Sequence, residues 1–195
     1  KQGLDIGLKV YTPIVENMPS GSAIRPGDIL HMRNGKTIEV INTDAEGRLI
    51  MADALAFASE SKPDIICDVA TLTGAAYVAL GVEIGAVFSN NKVTLDSFLN
   101  SNNDGFENYH SLPLEQSYKS QIKSSIADMK NSGGRFGGAI TAALLLEEFV
   151  DELDWIHLDI AGPARSRSSN SIYPEGGTGF GVLGYFNFLA NEANS

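Results

Sequence analysis

Residues 64–70 read DIICDVA, and residues 71–81 continue TLTGAAYVALG. The first run is apolar throughout, as a strand covered on both faces would be. The second leaves it through a turn containing Thr and Gly. On the downstream side, IGAVFS (84–89) reads as another strand and TLDSFLNS (94–101) as a short helix. On the upstream side, LIMADALAFASES (49–61) spaces Leu49, Ala52, Leu55, Ala56 and Ala58 as a helix does, and Pro63 follows its end.

The same alternation extends in both directions. LKVYTPIV (8–15) is apolar and β-branched and predicts a strand; residues 16–28, rich in Gly, Pro and Ser, predict a loop. DILHMR (28–33) and KTIEVI (36–41) flank Asn34-Gly35, a strong two-residue hairpin signal, so they are expected to pair antiparallel. Residues 102–136 are polar and irregular, with a helix expected near 115–124. AITAALLLEEFV (139–150) predicts a buried helix and DWIHLDIAG (154–162) a buried strand. Residues 166–179 predict a loop and residues 180–193 a closing helix. Strand–helix–strand alternation implies an α/β fold. We expect a three-layer α/β/α sandwich whose central sheet is mixed but mainly parallel, forming one domain over residues 1–195.

The bulk properties exclude some partners. Net charge is −10 over 195 residues, which argues against nucleic acid and anionic membrane surfaces, since both reward clustered Lys and Arg. No apolar run approaches the ~20 residues that span a bilayer. The one cysteine, Cys67, lies in an apolar run and is expected to be buried. A single cysteine forms no internal disulfide, which fits a reducing, cytoplasmic setting. The chain opens Lys1-Gln2-Gly3 without an initiator methionine, which reads as a piece of something longer.

Residues 42–48 read NTDAEGR. Asp44 and Glu46 lie between a predicted strand and a predicted helix, where ligands gather in open α/β sheets. Two carboxylates sharing a small volume repel, and a divalent cation removes the conflict. Gly47 allows a tight turn, and Arg48 supplies a fixed positive charge for a carboxylate or small oxyanion. The spacing fits equally well a helix start, with Thr43 or Asp44 as N-cap and Glu46 in the first turn.

The wider sequence resembles the leucyl aminopeptidase family of di-metal peptidases. The resemblance rests on VENMPSGSAIRPGDIL, GKTIEVINTDAEGRLIMADAL, DVATLTGA, DMKNSGGRFGGAITAALLLEEFV, WIHLDIAGPA and TGFGV, and it runs over nearly the whole chain. It implies a metal-dependent aminopeptidase that releases N-terminal residues from peptide substrates through a two-metal-activated water. Asp44 and Glu46 would be metal ligands and Arg48 catalytic, with a bicarbonate ion at Arg48 as general base. The metals would be two divalent ions, Mn²⁺ or Zn²⁺, with Mg²⁺ as an alternative. Thr71, Leu72 and Gly74 would supply backbone groups beside the substrate, and Ala161 would line the side-chain pocket. The resemblance also implies a cytoplasmic homo-hexamer. Complete members carry further Lys and Asp ligands upstream, in a segment not present here. We therefore expect these 195 residues alone to bind metal weakly and to hydrolyse little.

Other features are expected to be structural. GGRFGG (133–138) lacks the spacing of a phosphate loop and reads as a close-packed turn, with Arg135 left to face a ligand or another subunit. His31, His110 and His157 are widely separated and are not expected to ligate metal. Asp128 and Lys130 read as structural or interface residues. Asp159 is expected to be hydrogen-bonded near a sheet end rather than catalytic. Two other readings are a Mg²⁺-dependent phosphoryl-transfer enzyme using Asp44 and Glu46, and a non-catalytic assembly or binding subunit that keeps the fold.

Overall fold

The computed structural model describes residues 3–103, 105–169 and 173–194. In chain order its elements are β1 (Ile29–His31), β2 (Thr37–Glu39), α1 (Gly47–Ser59), β3 (Ile65–Ala70), α2 (Gly74–Leu80), β4 (Ile84–Ser89), α3 (Lys92–Ser101), β5 (Asn108–Ser111), β6 (Met129–Lys130), α4 (Gly138–Glu147), β7 (Asp154–Asp159), β8 (Arg165–Ser166), β9 (Gly176–Gly177) and α5 (Val182–Glu192). This is the α/β fold expected, with mixed sheets. Two compact units form: one from Lys1–Val10, Asp68–Leu112 and Ile156–Ser195, the other from Tyr11–Cys67 and Pro113–Trp155.

The second unit contains the hairpin. The β1 and β2 strands pair antiparallel around Asn34-Gly35, and the Gly35 N–H donates to the Met32 carbonyl at 2.9 Å. Gly35 has φ +86°, which a side chain resists and glycine allows. The β6 strand pairs parallel with β2. The α1 and α4 helices pack together, and Leu49, Ala52, Leu55 and Ala56 of α1 and Leu144–Leu146 of α4 are all buried. The expected α1 spacing holds at Leu49, Ala52, Leu55 and Ala56, where buried residues recur once per turn, but Ala58 is half-buried and Ser59 takes the buried place. Among them, Ser59 donates its hydroxyl to the carbonyls of Leu55 and Phe149.

GGRFGG folds as the close-packed turn expected. Gly137 begins α4 at φ +66°, and a Cβ there would lie 2.6 Å from the Tyr118 ring. Tyr118 belongs to the 3₁₀ helix Gln116–Ile122, which replaces the helix expected near 115–124 and packs on α4.

A four-stranded sheet runs in the order β3-β7-β4-β5, and its β4 and β5 strands lie in the first unit together with the later residues of β3 and β7. The β4 strand pairs parallel with β5 and antiparallel with β7. Ala86, Val87 and Phe88 of β4 and Ile156, His157 and Leu158 of β7 are fully buried, as their apolar sequences predict. The α3 and α5 helices pack together around Phe98, whose ring meets those of Tyr109, Tyr185 and Phe188. Glu107 holds the start of α5. Its carboxylate accepts from the Gly181 and Gly184 N–H groups and from the Tyr109 hydroxyl.

Several expectations need correction. Residues 8–15 form no strand. Leu8, Val10, Ile14 and Val15 are exposed, and a β-prone segment without a paired neighbour has no ladder to join. The β3 strand stands at the end of its sheet and is not covered on both faces. Ile66 and Asp68 are buried, but Val69 is 42% exposed. Cys67 therefore lies half-buried rather than inside. Polar β5 and two-residue β6 fall within the stretch read as irregular, and β8 with β9 falls partly within the predicted loop 166–179. Residue 104 of the first stretch and residues 170–172 of the second lie outside the described residues.

Candidate functional site

The chain leaving β2 is held by a buried asparagine. The Asn131 side-chain carbonyl accepts from the N–H groups of Ile41 (2.9 Å) and Asn42 (3.2 Å), and its amide donates to the Asn42 carbonyl (2.6 Å). The Asn131 backbone N–H also donates to the Glu39 carbonyl. Asn42, fixed this way, accepts the Asp44 N–H on its own side chain at 3.0 Å and caps a single 3₁₀ turn, Thr43–Ala45. Thr43 and Asp44, the residues expected to cap, do not. Ala45 is buried and anchors the turn.

Glu46 follows as the N-cap residue of α1, but its side chain makes no capping bond. Among the described residues, neither the Asp44 nor the Glu46 carboxylate is engaged in a hydrogen bond or ion pair. Asp44 is exposed, Glu46 half-buried, and Arg48, the second residue of α1, only 9% exposed. Residues 44–48 thus carry two carboxylates not used in bonding and one sheltered arginine. A hard cation suits the first pair, and a planar oxyanion suits the second group.

Asp44 and Glu46 do not by themselves complete a metal site. Among the described residues, no group of three or more His, Cys, Asp or Glu side chains could hold a metal ion. Zinc takes about four ligands and magnesium about six, so two carboxylates would supply only part of a shell.

Thr71, Leu72, Gly74 and Ala161 belong to the first unit. Thr71 and Gly74 are exposed, and Leu72 and Ala161 half-buried. Asp159, at the end of β7, links two of them. It accepts from the N–H groups of Leu72 (3.1 Å) and Ala161 (3.2 Å). It also accepts from the backbone N–H of Thr73 (3.3 Å) and from its hydroxyl (2.6 Å). Asp159 is thus hydrogen-bonded near a sheet end, as expected. Gly74 begins α2, which Thr73 caps by accepting the Ala76 N–H. Next to this turn Gly162 passes so close to Gly81 that a Cβ would lie 2.0 Å from its carbonyl oxygen.

The other residues singled out from the sequence divide between the core and the surface. His157 is fully buried, hydrogen-bonded to Asp68 at 2.6 Å and stacked on Phe88. His31 and His110 are exposed, as is Arg135. Asp128 accepts from the Thr37 hydroxyl and N–H, both at 2.7 Å, and these bonds hold its carboxyl below the usual range. Lys130 lies in β6. An open apolar pocket of about 330 Å³ lies between Phe106, Tyr173, Val182 and Phe186 of the first unit, and none of the expected site residues lines it. Sequence reasoning missed Asn131 and Thr73. Each stands within a quoted motif, DMKN and TLTG, but a polar residue in a motif does not announce that it is buried.

The chain is similar to known proteins along nearly all its length. Residues 1–184 match the model of the cytosol aminopeptidase family, catalytic domain. A protein of Syntrophotalea carbinolica named "Probable cytosol aminopeptidase" is 50% identical over 189 residues, covering 97% of this chain and 38% of its own length. One of the same name from Prochlorococcus marinus subsp. pastoris is 48% identical, covering 95% of this chain and 38% of its length. The chain therefore spans about two fifths of the length of these relatives. Among solved structures, a tomato leucine aminopeptidase mutant superposes with TM-score 0.84 at 45% identity, over 90% of this chain and 34% of that one. The bottromycin maturation enzyme BotP, in complex with Mn, superposes with TM-score 0.88 at 39% identity, over 92% and 41%. With two unspent carboxylates and a buried arginine within residues 44–48, and a family match that runs along residues 1–184, this chain belongs to the cytosol aminopeptidase family, as part of its catalytic domain.

Proposed function

We propose that the protein carrying this chain is an aminopeptidase that uses two divalent metal ions to release N-terminal residues from peptides. The observation that carries the reading is the state of Asp44 and Glu46. Both sit on one turn ordered by Asn42 and Asn131, and neither carboxylate is used by the fold. Carboxylates kept out of caps and ion pairs, in an otherwise well-bonded loop, are suited to a cation. Manganese in a structural relative supports the choice of a divalent ion. Mn²⁺ and Zn²⁺ are the leading candidates, and Mg²⁺ is an alternative.

In this reading Asp44 and Glu46 contribute part of the ligand set, and further donors complete it. Arg48 holds a bicarbonate or similar oxyanion in a sheltered position, where a guanidinium's directional N–H groups act more strongly than in water. Thr71, Leu72 and Gly74 offer backbone groups to the peptide, and Ala161 borders the side-chain pocket. The 195 residues are a portion of one catalytic domain. The assembled protein is a cytoplasmic homo-hexamer.

The test is p-nitroaniline release from leucine p-nitroanilide by the full protein with added Mn²⁺. Activity should require the metal. Glu46→Ala should lower kcat/KM by more than about 100-fold, since even outer-shell changes at metal sites cost 10–100-fold. The isolated 195 residues should bind Mn²⁺ weakly by calorimetry. Metal-independent turnover, or full activity of Glu46→Ala, would overturn the proposal.

A further inference from the structure

We propose that Asp159 is a positioning residue that orders the peptide-binding surface, setting the backbone of Thr71–Gly74 and of Ala161 with one carboxylate. The proposal rests on the reading above that these residues meet the peptide.

Asp159 is only 1% exposed, and a buried carboxylate is costly unless fully satisfied. Here four donors satisfy it. They come from two segments: the turn after β3, 87 residues away from Asp159 at Leu72, and the residue two places beyond Asp159. Thr73 serves both partners at once. Its hydroxyl donates to Asp159 at 2.6 Å, and the same oxygen accepts the Ala76 N–H at 3.0 Å. A hydroxyl has one proton to donate, so the Asp159 bond fixes its rotor.

The consequence follows from peptide geometry. Among the described residues every peptide bond is trans, and in a trans peptide N–H and C=O point in opposite directions. The Leu72 and Thr73 N–H groups turn inward to Asp159. The carbonyls of Thr71 and Leu72 must therefore turn the other way. Among the described residues neither accepts a hydrogen bond. Two adjacent carbonyls left open in this way are matched to the N–H groups of an extended peptide. The Ala161 N–H is drawn to the same carboxylate, which ties the pocket residue to the turn.

The experiment is amide hydrogen exchange on the full protein, with and without the probe peptide leucyl-glycyl-glycine, in the parent, Asp159→Ala, Thr73→Val and Thr73→Ser. Steady-state kinetics on leucine p-nitroanilide run alongside. Alanine removes the oxygen that accepts from all three N–H groups. In Asp159→Ala, exchange at Leu72, Thr73 and Ala161 should rise at least about 10-fold, while β4 amides stay unchanged. The peptide should slow exchange at Thr71–Gly74 in the parent and much less in the variant. KM should rise about 10-fold or more with kcat nearly kept, the pattern of lost binding. Thr73→Val, which loses only the hydroxyl bond, should move the same readouts in the same direction by less, and Thr73→Ser, which retains the hydroxyl, should behave as the parent.

Parental exchange rates at the three amides in Asp159→Ala would overturn the proposal. So would equal protection by the peptide in both proteins, or a loss confined to kcat. If the parent releases no p-nitroaniline but the peptide still protects the turn in an Asp159-dependent way, the aminopeptidase reading falls and the role of Asp159 stands. If the peptide protects nothing in the parent, the role of Asp159 falls.

Discussion

Replacing Asn131 with alanine separates the fold from its candidate site most sharply. Asn131 is fully buried, and its side chain makes three hydrogen bonds to Ile41 and Asn42. Each such bond contributes about 0.5–1.5 kcal/mol net, so losing three costs ~2–4 kcal/mol. Ile41 and Asn42 are themselves exposed, so water can reach their freed groups and the cost should fall in the lower half, at ~2–3 kcal/mol. For a chain of this size that corresponds to a fall in Tm on the order of 5–10 °C. A second effect should exceed the first. Asn42 orients the turn that carries Asp44, so Mn²⁺ affinity should drop even at temperatures where the variant is fully folded. Thermal scans and Mn²⁺ calorimetry on the full protein measure the two effects. Asn131→Asp is the informative companion: it keeps the two acceptor contacts, loses the donated one, and adds a buried charge. A Tm change under about 1 °C together with unchanged Mn²⁺ binding would refute the claim that Asn131 holds this turn.

Two further predictions follow from the geometry. Gly162→Ala should destabilise the first unit by about 1–3 kcal/mol or block its folding, because the new Cβ would meet the Gly81 backbone oxygen at 2.0 Å; denaturant unfolding followed by near-ultraviolet circular dichroism would detect it. Glu148 should account for part of the acid sensitivity of the second unit. Partial burial pushes its carboxyl upward, but hydrogen bonds from Lys119 and Lys36, with their charges, outweigh burial and hold it below the usual range. A depressed carboxyl adds stability that is present above its unfolded pKa and is lost as pH falls through its lower folded value. Glu148→Gln should therefore flatten the fall in stability below about pH 4.5, and an unchanged acid limb would count against the network.

How far the sequence could be read depended on how local the cause was. Gly35 closes its hairpin by its own backbone freedom, and α1 announces itself by apolar residues recurring each turn. The runs of β4 and α4 were legible because burial on all sides leaves an unbroken apolar stretch. Residues 8–15 misled because β-branched composition states a preference without supplying a neighbour. DIICDVA misled for a related reason: an apolar strand at the end of a sheet has the same letters as one in its middle.

The acidic turn shows the same division. Residues 42–48 by themselves determined which groups are present: two carboxylates, a glycine and an arginine within one helical turn of chain. They could not say that Asn42, rather than Thr43 or Asp44, would take the cap, which leaves Asp44 unspent. Nor could TLTG say that a carboxylate 87 residues away from Leu72 would receive its backbone N–H groups. Composition and periodicity act through neighbours in the chain, so they are written in order along it. Buried polar partnerships such as those of Asn131 and Asp159 join distant segments. They exist only once the chain has folded and water has been replaced by specific donors and acceptors.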